Sequence, residues 1–512
     1  MLENPSPAPI VTRTDTARAA GSPDGAPDWK RIAVPPKNVD DTGKQRLRDH
    51  YDRLAGKKPR FRKINAYYYR EILRTLRHLI PPGKTLLEMG CGDGFMLKSL
   101  RPRRGLGIDL SGAMIESARK GGAPEEGNLE YRVGDAESIQ VAETFERVLW
   151  SDLLGDLMDI QQALENIGQA CDSESRLILH YHGVLWEPVI KLAQKLGLKT
   201  PQLNHNWMSR SYIENLLTLA DFEIVSFDRK IILPIGIPLV APLMNRWLAT
   251  LPGFRSLCMV NLIVARKKIA PRPAAYSVSV IVPCRNEKGT IRAAVERLPV
   301  FGESQEIIFV DGHSTDGTPE EIEKVIREFP ERNIQFHRQT GKGKGDAVRL
   351  GFDKAEKDIL MILDSDLAVP PEDMPKFFHA LAAHKAEFVN GSRLVYPMEA
   401  QAMRFLNILG NHFFSMALTW LLNQPLKDTL CVTKALFRRD YAKIKAYRAY
   451  FGDFDPFGDF DLLFGAVRQN LKILEIPVRY RERTYGVTNI SRFRHGLLLL
   501  KMVCFGFVKL KW

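Results

Sequence analysis

A chain of 512 residues, 45% hydrophobic and 26% charged, is long enough for two or three folded domains and too apolar to be disordered throughout. Its formal net charge of +13 asks for anionic partners: nucleotides, phosphates or an acidic membrane surface. There is no zinc finger, no aromatic RNA-binding signature and no basic low-complexity arm, so nucleic acid is not expected as a partner.

The six cysteines, Cys91, Cys171, Cys258, Cys284, Cys431 and Cys504, are too scattered for a zinc knuckle or a C-x-x-C pair. No signal peptide is read at the N-terminus, which sets the expectation of a reducing cytoplasm. Residues 1 to about 40 are rich in Pro, Ala, Asp and Thr and read as a disordered tail. Residues 44 to 80 read as helical, with Tyr67, Tyr68, Tyr69, Ile72, Leu73 and Leu76 on an apolar face and Pro81-Pro82-Gly83 as the stop.

Leu86 and Leu87 then form a short strand that runs into a turn on Gly90, Gly92 and Gly94, with a helix from Phe95. Glycines there let the backbone come close to a ligand. A second strand, G-L-G-I-D, ends at Asp109, nineteen residues past Gly90, where an acid reaches ribose hydroxyls. The turn reads G-x-G-x-G, preceded by Glu88 and followed later by Asp135 in G-D-A. This set resembles the first motifs of class I S-adenosylmethionine-dependent methyltransferases. The resemblance implies that Glu88, Gly90, Gly92, Gly94, Asp109 and Asp135 bind S-adenosylmethionine, with Asp135 at the adenine edge. It also implies a seven-stranded sheet, completed by strands around 222–227 and 258–265.

The strand R-V-L-W-S-D ends at Asp152, level with a methyl acceptor in such a fold. Leu153, Leu154 and Gly155 stand where a histidine motif is common, so the base is unassigned there. His182, near the end of R-L-I-L-H-Y-H, is either a proton acceptor or, as a lone strand-end histidine more often is, structural. Residues 231 to 244 are strongly apolar, but Pro234, Pro238 and Pro242 forbid a regular helix and the run is too short to span a bilayer. It reads as a loop buried on the domain, with a membrane-dipping loop as the alternative.

A Pro- and Lys/Arg-rich linker at 269–276 separates an expected domain at 41–268 from one at 277–512. The second opens on a buried strand ending at Pro283, with Arg285, Asn286 and Glu287 at the strand-to-helix turn. The strand E-I-I-F-V ends at Asp311 in D-G-H-S-T-D-G-T, placing a carboxylate near a base or ribose. The loop G-K-G-K-G, with Lys342 and Lys344, presents backbone N–H groups and cations to phosphate. Then D-I-L-M-I-L-D-S-D reads as a buried strand ending in Asp364 and Asp366. If extended, both carboxylates face one hard divalent cation, Mg²⁺ or Mn²⁺.

P-C-R-N-E, D-G-H-S-T-D-G-T, the glycine loop and D-S-D occur in order, and together they resemble an inverting family 2 glycosyltransferase of the GT-A fold. The subgroup it is most similar to is the polyprenyl-phosphate glycosyltransferases, typified by dolichol-phosphate mannosyltransferase. The implied fold class is therefore α/β with two Rossmann-like domains, a methyltransferase sheet and then a nucleotide-diphospho-sugar transferase fold. The resemblance implies a UDP- or GDP-sugar donor, a metal on Asp364 and Asp366, and Arg393, Arg404 and Arg483 as fixed cations for donor and acceptor phosphates. D-G-H in place of D-D-x, and the missing final lysine after Arg483, depart from the subgroup and leave the sugar nucleotide open.

A polyprenyl phosphate acceptor needs no strong base, whereas a hydroxyl acceptor needs one, and Asp461 is the candidate. Residues 404–422 and 496–512 read as amphipathic helices, the second broken by Lys501 and closed by Lys509, Lys511 and Trp512. The expectation is peripheral contact with an anionic membrane on the cytoplasmic face. The rival reading is a hydroxyl acceptor on a glycan or glycolipid, with the N-terminal domain a non-catalytic S-adenosylmethionine-binding module.

Overall fold

The computed structural model describes residues 41–121, 128–203, 206–269, 276–393, 395, 405–428, 431–451, 458–481, 485 and 492–511. The expected tail at 1–40, most of the linker, Arg404 and Arg483 lie outside the described residues. The chain divides into two compact units, Met1–Arg46 and Leu47–Trp512. All that follows concerns the second.

Leu47–Trp512 holds two sheets of seven strands each. The first contains β1 (Thr85–Met89), β2 (Arg104–Asp109), β3 (Leu129–Val133), β4 (Arg147–Ser151), β5 (Arg176–His182), β6 (Phe222–Lys230) and β7 (Val260–Lys267), in the order β3-β2-β1-β4-β5-β7-β6. All pairs are parallel except those of β7, which runs antiparallel to β5 and β6. The strands expected near 222–227 and 258–265 are thus β6 and β7. Helix Ala66–Leu79 buries Tyr68, Ile72, Leu73 and Leu76, and stops before Pro81 as its sequence demands.

The second sheet contains β8 (Val278–Cys284), β9 (Gln305–Asp311), β10 (Ile334–Arg338), β11 (Ile359–Ile362), β12 (Phe388–Ser392), β13 (Lys434–Phe437) and β14 (Ile473–Pro477), in the order β10-β9-β8-β11-β13-β12-β14. β13 is antiparallel to both of its neighbours, and the other pairs are parallel. Ile359–Ile362 is buried on both faces, which is why it reads as an unbroken apolar run. In each sheet the chain reverses its winding direction at one point: between β1 and β4, and between β8 and β11. Open α/β sheets bind ligands in the crevice at such a point.

Three expectations change. The 231–244 stretch is not a buried loop: Ile235, Ile237, Leu239, Val240 and Leu243 are exposed, Leu239 at 88%. The prolines do exclude a regular helix, leaving one turn at Val240–Pro242 and a wide turn at Leu243–Trp247. Lys511 does not face outward with Lys509. It is buried beside Asp228, 3.6 Å away, and donates to Asn423 Oδ1 at 2.5 Å. Asp364 and Asp366 lie beyond the end of β11, in a turn, so the strand pleat does not put them on one face.

Charged contacts join the two sheets inside this unit. Arg176 Nη2, at the start of β5, donates to both carboxylate oxygens of Glu387 at 2.6 and 2.7 Å. Arg266 Nη1, on β7, stands 3.3 Å from the same carboxylate. All three side chains are buried. Around them, Arg176 Nε donates to Asn470 O, Lys472 Nζ to Ile224 O and Trp420 Nε1 to Thr250 O.

Candidate functional site

At the first switch point the turn after β1 holds Gly90, Gly92 and Gly94 at φ 71°, 53° and 72°, the left-handed region that favours glycine. Gly92 N donates to Asp109 Oδ2 at 2.7 Å and Ser111 N to Oδ1 at 2.9 Å. The Asp109 carboxylate therefore braces the turn it was expected to share a ligand with. Burial raises its pKa, and these two backbone donors pull against that rise. Glu88 is buried with Oε2 unpartnered, and burial pushes its carboxyl well above the ordinary range. Asp135 accepts from Glu137 N at 3.0 Å in the loop after β3. An orphaned carboxylate oxygen beside a left-handed glycine turn fits a ligand with hydrogen-bond donors and cationic groups, as S-adenosylmethionine is.

Lys58, Tyr51, Asp156 and His180, none of them singled out from sequence, join this edge beside Tyr68 and His182, which were. Lys58 overhangs the turn: a methyl on Gly92 would lie 3.6 Å from its Nζ. Tyr51 OH donates to Asp156 Oδ2 at 2.5 Å, and burial raises the Asp156 carboxyl to about 7. Tyr68 OH lies 3.1 Å from His180 Nε2 and 3.3 Å from His182 Nε2. The H-Y-H alternation of β5 was the available signal, because residues two apart in a strand share a face.

At the second switch point the loops after β8 and β9 are stitched together. Asn286 N donates to Ser314 Oγ and Thr315 N to Asn286 Oδ1, both at 2.8 Å. Glu287 N donates to Thr318 Oγ1 at 3.0 Å. Asp311, buried at the end of β9, accepts from Ser314 N. Pro283 is buried inside β8, one residue short of its end, and Arg285 is exposed just beyond. Gly343 takes φ 85° and opens helix Lys344–Lys354.

Lys344 Nζ, in that helix's first turn, donates to Asp364 Oδ1 at 2.7 Å. Lys342 is exposed in the loop before it. Asp366 is buried and accepts from Ala368 N at 3.0 Å. The sequence-predicted loops thus meet at one sheet edge. No group of three or more His, Cys, Asp or Glu side chains forms a metal site among the described residues. Two hard carboxylates suit a divalent cation whose remaining ligands come from a diphosphate.

Arg393 commits Nε and Nη2 to the two oxygens of buried Asp428, at 2.7 and 2.9 Å, and its guanidinium lies over the Tyr480 ring. Burial would lower its pKa, but Asp428 carries it above the ordinary value. Asp461 is buried in the first turn of helix Asp459–Arg468, and Arg448 Nε donates to its Oδ2 at 2.8 Å.

The family model described as "Methyltransferase domain" matches residues 60–227, and "Glycosyl transferase family 2" matches residues 279–444. The chain carries a methyltransferase domain followed by a family 2 glycosyltransferase domain. Glycosyltransferase AglD of Haloferax volcanii is 26% identical over 235 residues, 45% of this chain and 36% of the relative. The dolichol-phosphate mannosyltransferase of Saccharomyces cerevisiae is 37% identical over 120 residues, 22% of this chain and 44% of the relative. That of Pyrococcus furiosus is 34% identical over 120 residues, 23% and 33%. The chain spans less than half the length of these relatives.

Proposed function

We propose that the chain is a bifunctional enzyme: inverting glycosyl transfer from a nucleotide-sugar to a polyprenyl phosphate in its C-terminal half, and S-adenosylmethionine-dependent methyl transfer in its N-terminal half. The observation that carries the first activity is the contact between Lys344 and Asp364. It brings the glycine loop, the aspartate turn and, through the parallel β8–β9–β11 edge, Asp311 to one place. Asp311 would sit by the nucleoside, backbone N–H groups of the loop by the diphosphate, and Lys342 and Lys344 beside it as cations. A divalent metal on Asp364 and Asp366 would supply charge neutralisation of the leaving diphosphate.

Three features support a lipid-phosphate acceptor. Two of the relatives above are named for dolichol phosphate. Asp461, the candidate base for a hydroxyl acceptor, is tied to Arg448, and a phosphate oxygen that is already anionic needs no base. Exposed apolar side chains recur on three elements that touch one another. These are the 231–257 stretch, helix Phe405–Leu422 with Met416 68% exposed, and helix Arg492–Gly506 with Leu497 72% exposed. Just past the last helix, Phe507 stacks on Trp420 and packs at a tilt against Trp247. No described helix is long and apolar enough to cross a membrane, so the proposed contact is peripheral, on the cytoplasmic side of an anionic bilayer. Arg404 and Arg483 remain the proposed phosphate-binding cations alongside Arg393, whose Asp428 partner holds it in place.

The test is incubation of purified protein and membranes with radiolabelled UDP- and GDP-sugars. Label entering the organic phase, and lost in Asp366→Asn, is expected. Label that stays water-soluble with every donor would overturn the lipid-phosphate acceptor.

A further inference from the structure

The methyltransferase half contains a buried polar cluster beside the glycine turn, at the tips of β4 and β5. β4 and β5 run parallel with Ser151 opposite His180, and Asp152 follows at the tip of β4 with its N–H donating to His180 O at 2.9 Å. Asp152 adopts φ 57°, the left-handed region that Asp tolerates better than most non-glycine residues. Its carboxylate oxygen Oδ1 stands 2.7 Å from His182 Nδ1. The two atoms make no hydrogen bond of good geometry as they stand, but a carboxylate that close favours a proton on Nδ1 and leaves the Nε2 lone pair as the working end of the ring. Nε2 is met by Tyr68 OH and Lys199 Nζ, each at 3.3 Å. A hydroxyl that takes the place of the Lys199 ammonium would find an acceptor there.

The cluster adjoins the cofactor turn. A methyl on Gly90 would come within 2.9 Å of Leu153 Cδ1, and Leu153 is the next residue after Asp152. The surface beside it is apolar. Leu185 and Val189, just after β5, and Ile235 and Leu239, on the 231–244 stretch, are all exposed. That stretch reaches Tyr67, the neighbour of Tyr68: a methyl on Gly236 would lie 3.1 Å from the Tyr67 ring, and Asn245 Nδ2 donates to Tyr67 OH at 3.2 Å.

We propose that this half methylates a hydroxyl group of an amphiphilic acceptor, with His182 Nε2 as the general base and Asp152 as the residue that positions it. The proposal rests on the reading of the glycine turn as an S-adenosylmethionine site. In the reaction the acceptor oxygen forms a bond to the methyl carbon. The carbon–sulfur bond breaks, with its electron pair going to sulfur, and the hydroxyl proton passes to Nε2. The imidazolium is held by Asp152 until the proton leaves to solvent. Burial, with Lys199 adding to it and Asp152 opposing, lowers the His182 pKa to about 4, so the ring is neutral at pH 7; it is a weak base there until an acceptor displaces Lys199 and removes one cause of the lowering.

The test uses the full chain in three measurements. Calorimetric binding of S-adenosylhomocysteine checks the underlying reading: wild type, His182→Ala and Asp152→Asn should bind alike, and no binding by wild type would remove that reading itself. Tritiated-methyl S-adenosylmethionine is then supplied with a membrane lipid extract and, separately, with a water-soluble extract. Label should enter the lipid fraction with wild type, and His182→Ala should lose on the order of a hundredfold in rate. Added imidazole should restore part of that loss, which a merely structural histidine would not allow. Nitrogen NMR of labelled histidine should show Nδ1 protonated and Nε2 bare at pH 7, with the Nδ1 preference weakened in Asp152→Asn. Binding without label in the lipid fraction, an unaffected rate in His182→Ala, or the opposite tautomer would each overturn the proposal.

Discussion

Asp461 illustrates how a partner decides what a carboxylate can do. Its Oδ2 takes a hydrogen bond from Arg448 Nε, and the pair is largely buried. That oxygen is already taken by a guanidinium donor rather than turned to an acceptor hydroxyl. Asp461→Asn should therefore change sugar transfer by less than about tenfold, while loss of a general base costs about a hundredfold or more. A kcat measurement with donor binding checked in parallel decides between the two, and a large loss would move the acceptor to the hydroxyl class. The buried histidines give a second prediction. His182 is held to about 4 and His180 is lowered, in both cases mainly by burial. Between pH 6.5 and 4 the unfolded chain takes up protons at these sites that the folded chain refuses, so stability rises with pH across that window and is lost on acidification. For His182 alone the cost approaches about 3 kcal/mol at the acid end. Thermal unfolding followed from pH 7 to 4.5 should show the fall, and a smaller one in His182→Gln.

The elements most legible in the sequence were those whose signals are local. Gly90 to Asp109 and Asp311 to Asp366 carry turn chemistry next to buried strands, and both lie at the sheet edges where they were expected. The less legible parts depend on what packs from far away. Hydrophobicity at 231–244 suggested burial, yet periodicity cannot tell a residue covered by protein from one left outside. The acids of the D-S-D stretch were placed on a strand pleat, but β11 ends at Ile362 and a turn carries them. Tyr68 and Lys58 reach the first site from helices that precede it, so no spacing around the glycines pointed to them. Helix packing supplies the next test. A methyl on Gly345 would lie 2.9 Å from Gly458 N, where the first turns of helices Lys344–Lys354 and Asp459–Arg468 meet backbone to backbone. Gly345→Ala should cost about 1–3 kcal/mol as an overpacking change. It should also weaken nucleotide-sugar binding, because Lys344 is the adjacent residue. Denaturant unfolding and donor titration measure the two effects.

At the scale of the molecule, the order of the two halves was readable and their union was not. Arg176 and Glu387 are 211 residues apart, and each looks like an ordinary surface charge in sequence. Folded, Glu387 receives Arg176 and Arg266 in a buried junction of the two sheets. Burial would raise its carboxyl, but the two arginines bring it below the ordinary range. Desolvating three charges is expensive, so the arrangement stabilises the junction only while it is complete. Removing Glu387 leaves the buried Arg176 without a carboxylate, while Arg266 keeps Glu223 at 2.6 Å. Glu387→Ala is therefore expected to destabilise the protein by about 3–5 kcal/mol. Replacing Arg176 and Glu387 together by apolar side chains of similar size should cost far less, because the pair goes as a whole and Arg266 keeps Glu223. Calorimetry distinguishes a junction that couples the halves from one that merely touches. In wild type one transition should carry both sheets, and in Glu387→Ala the halves should melt separately. A single unshifted transition in Glu387→Ala would mean that the backbone and apolar contacts around Trp420 and Asn470 hold the halves together on their own.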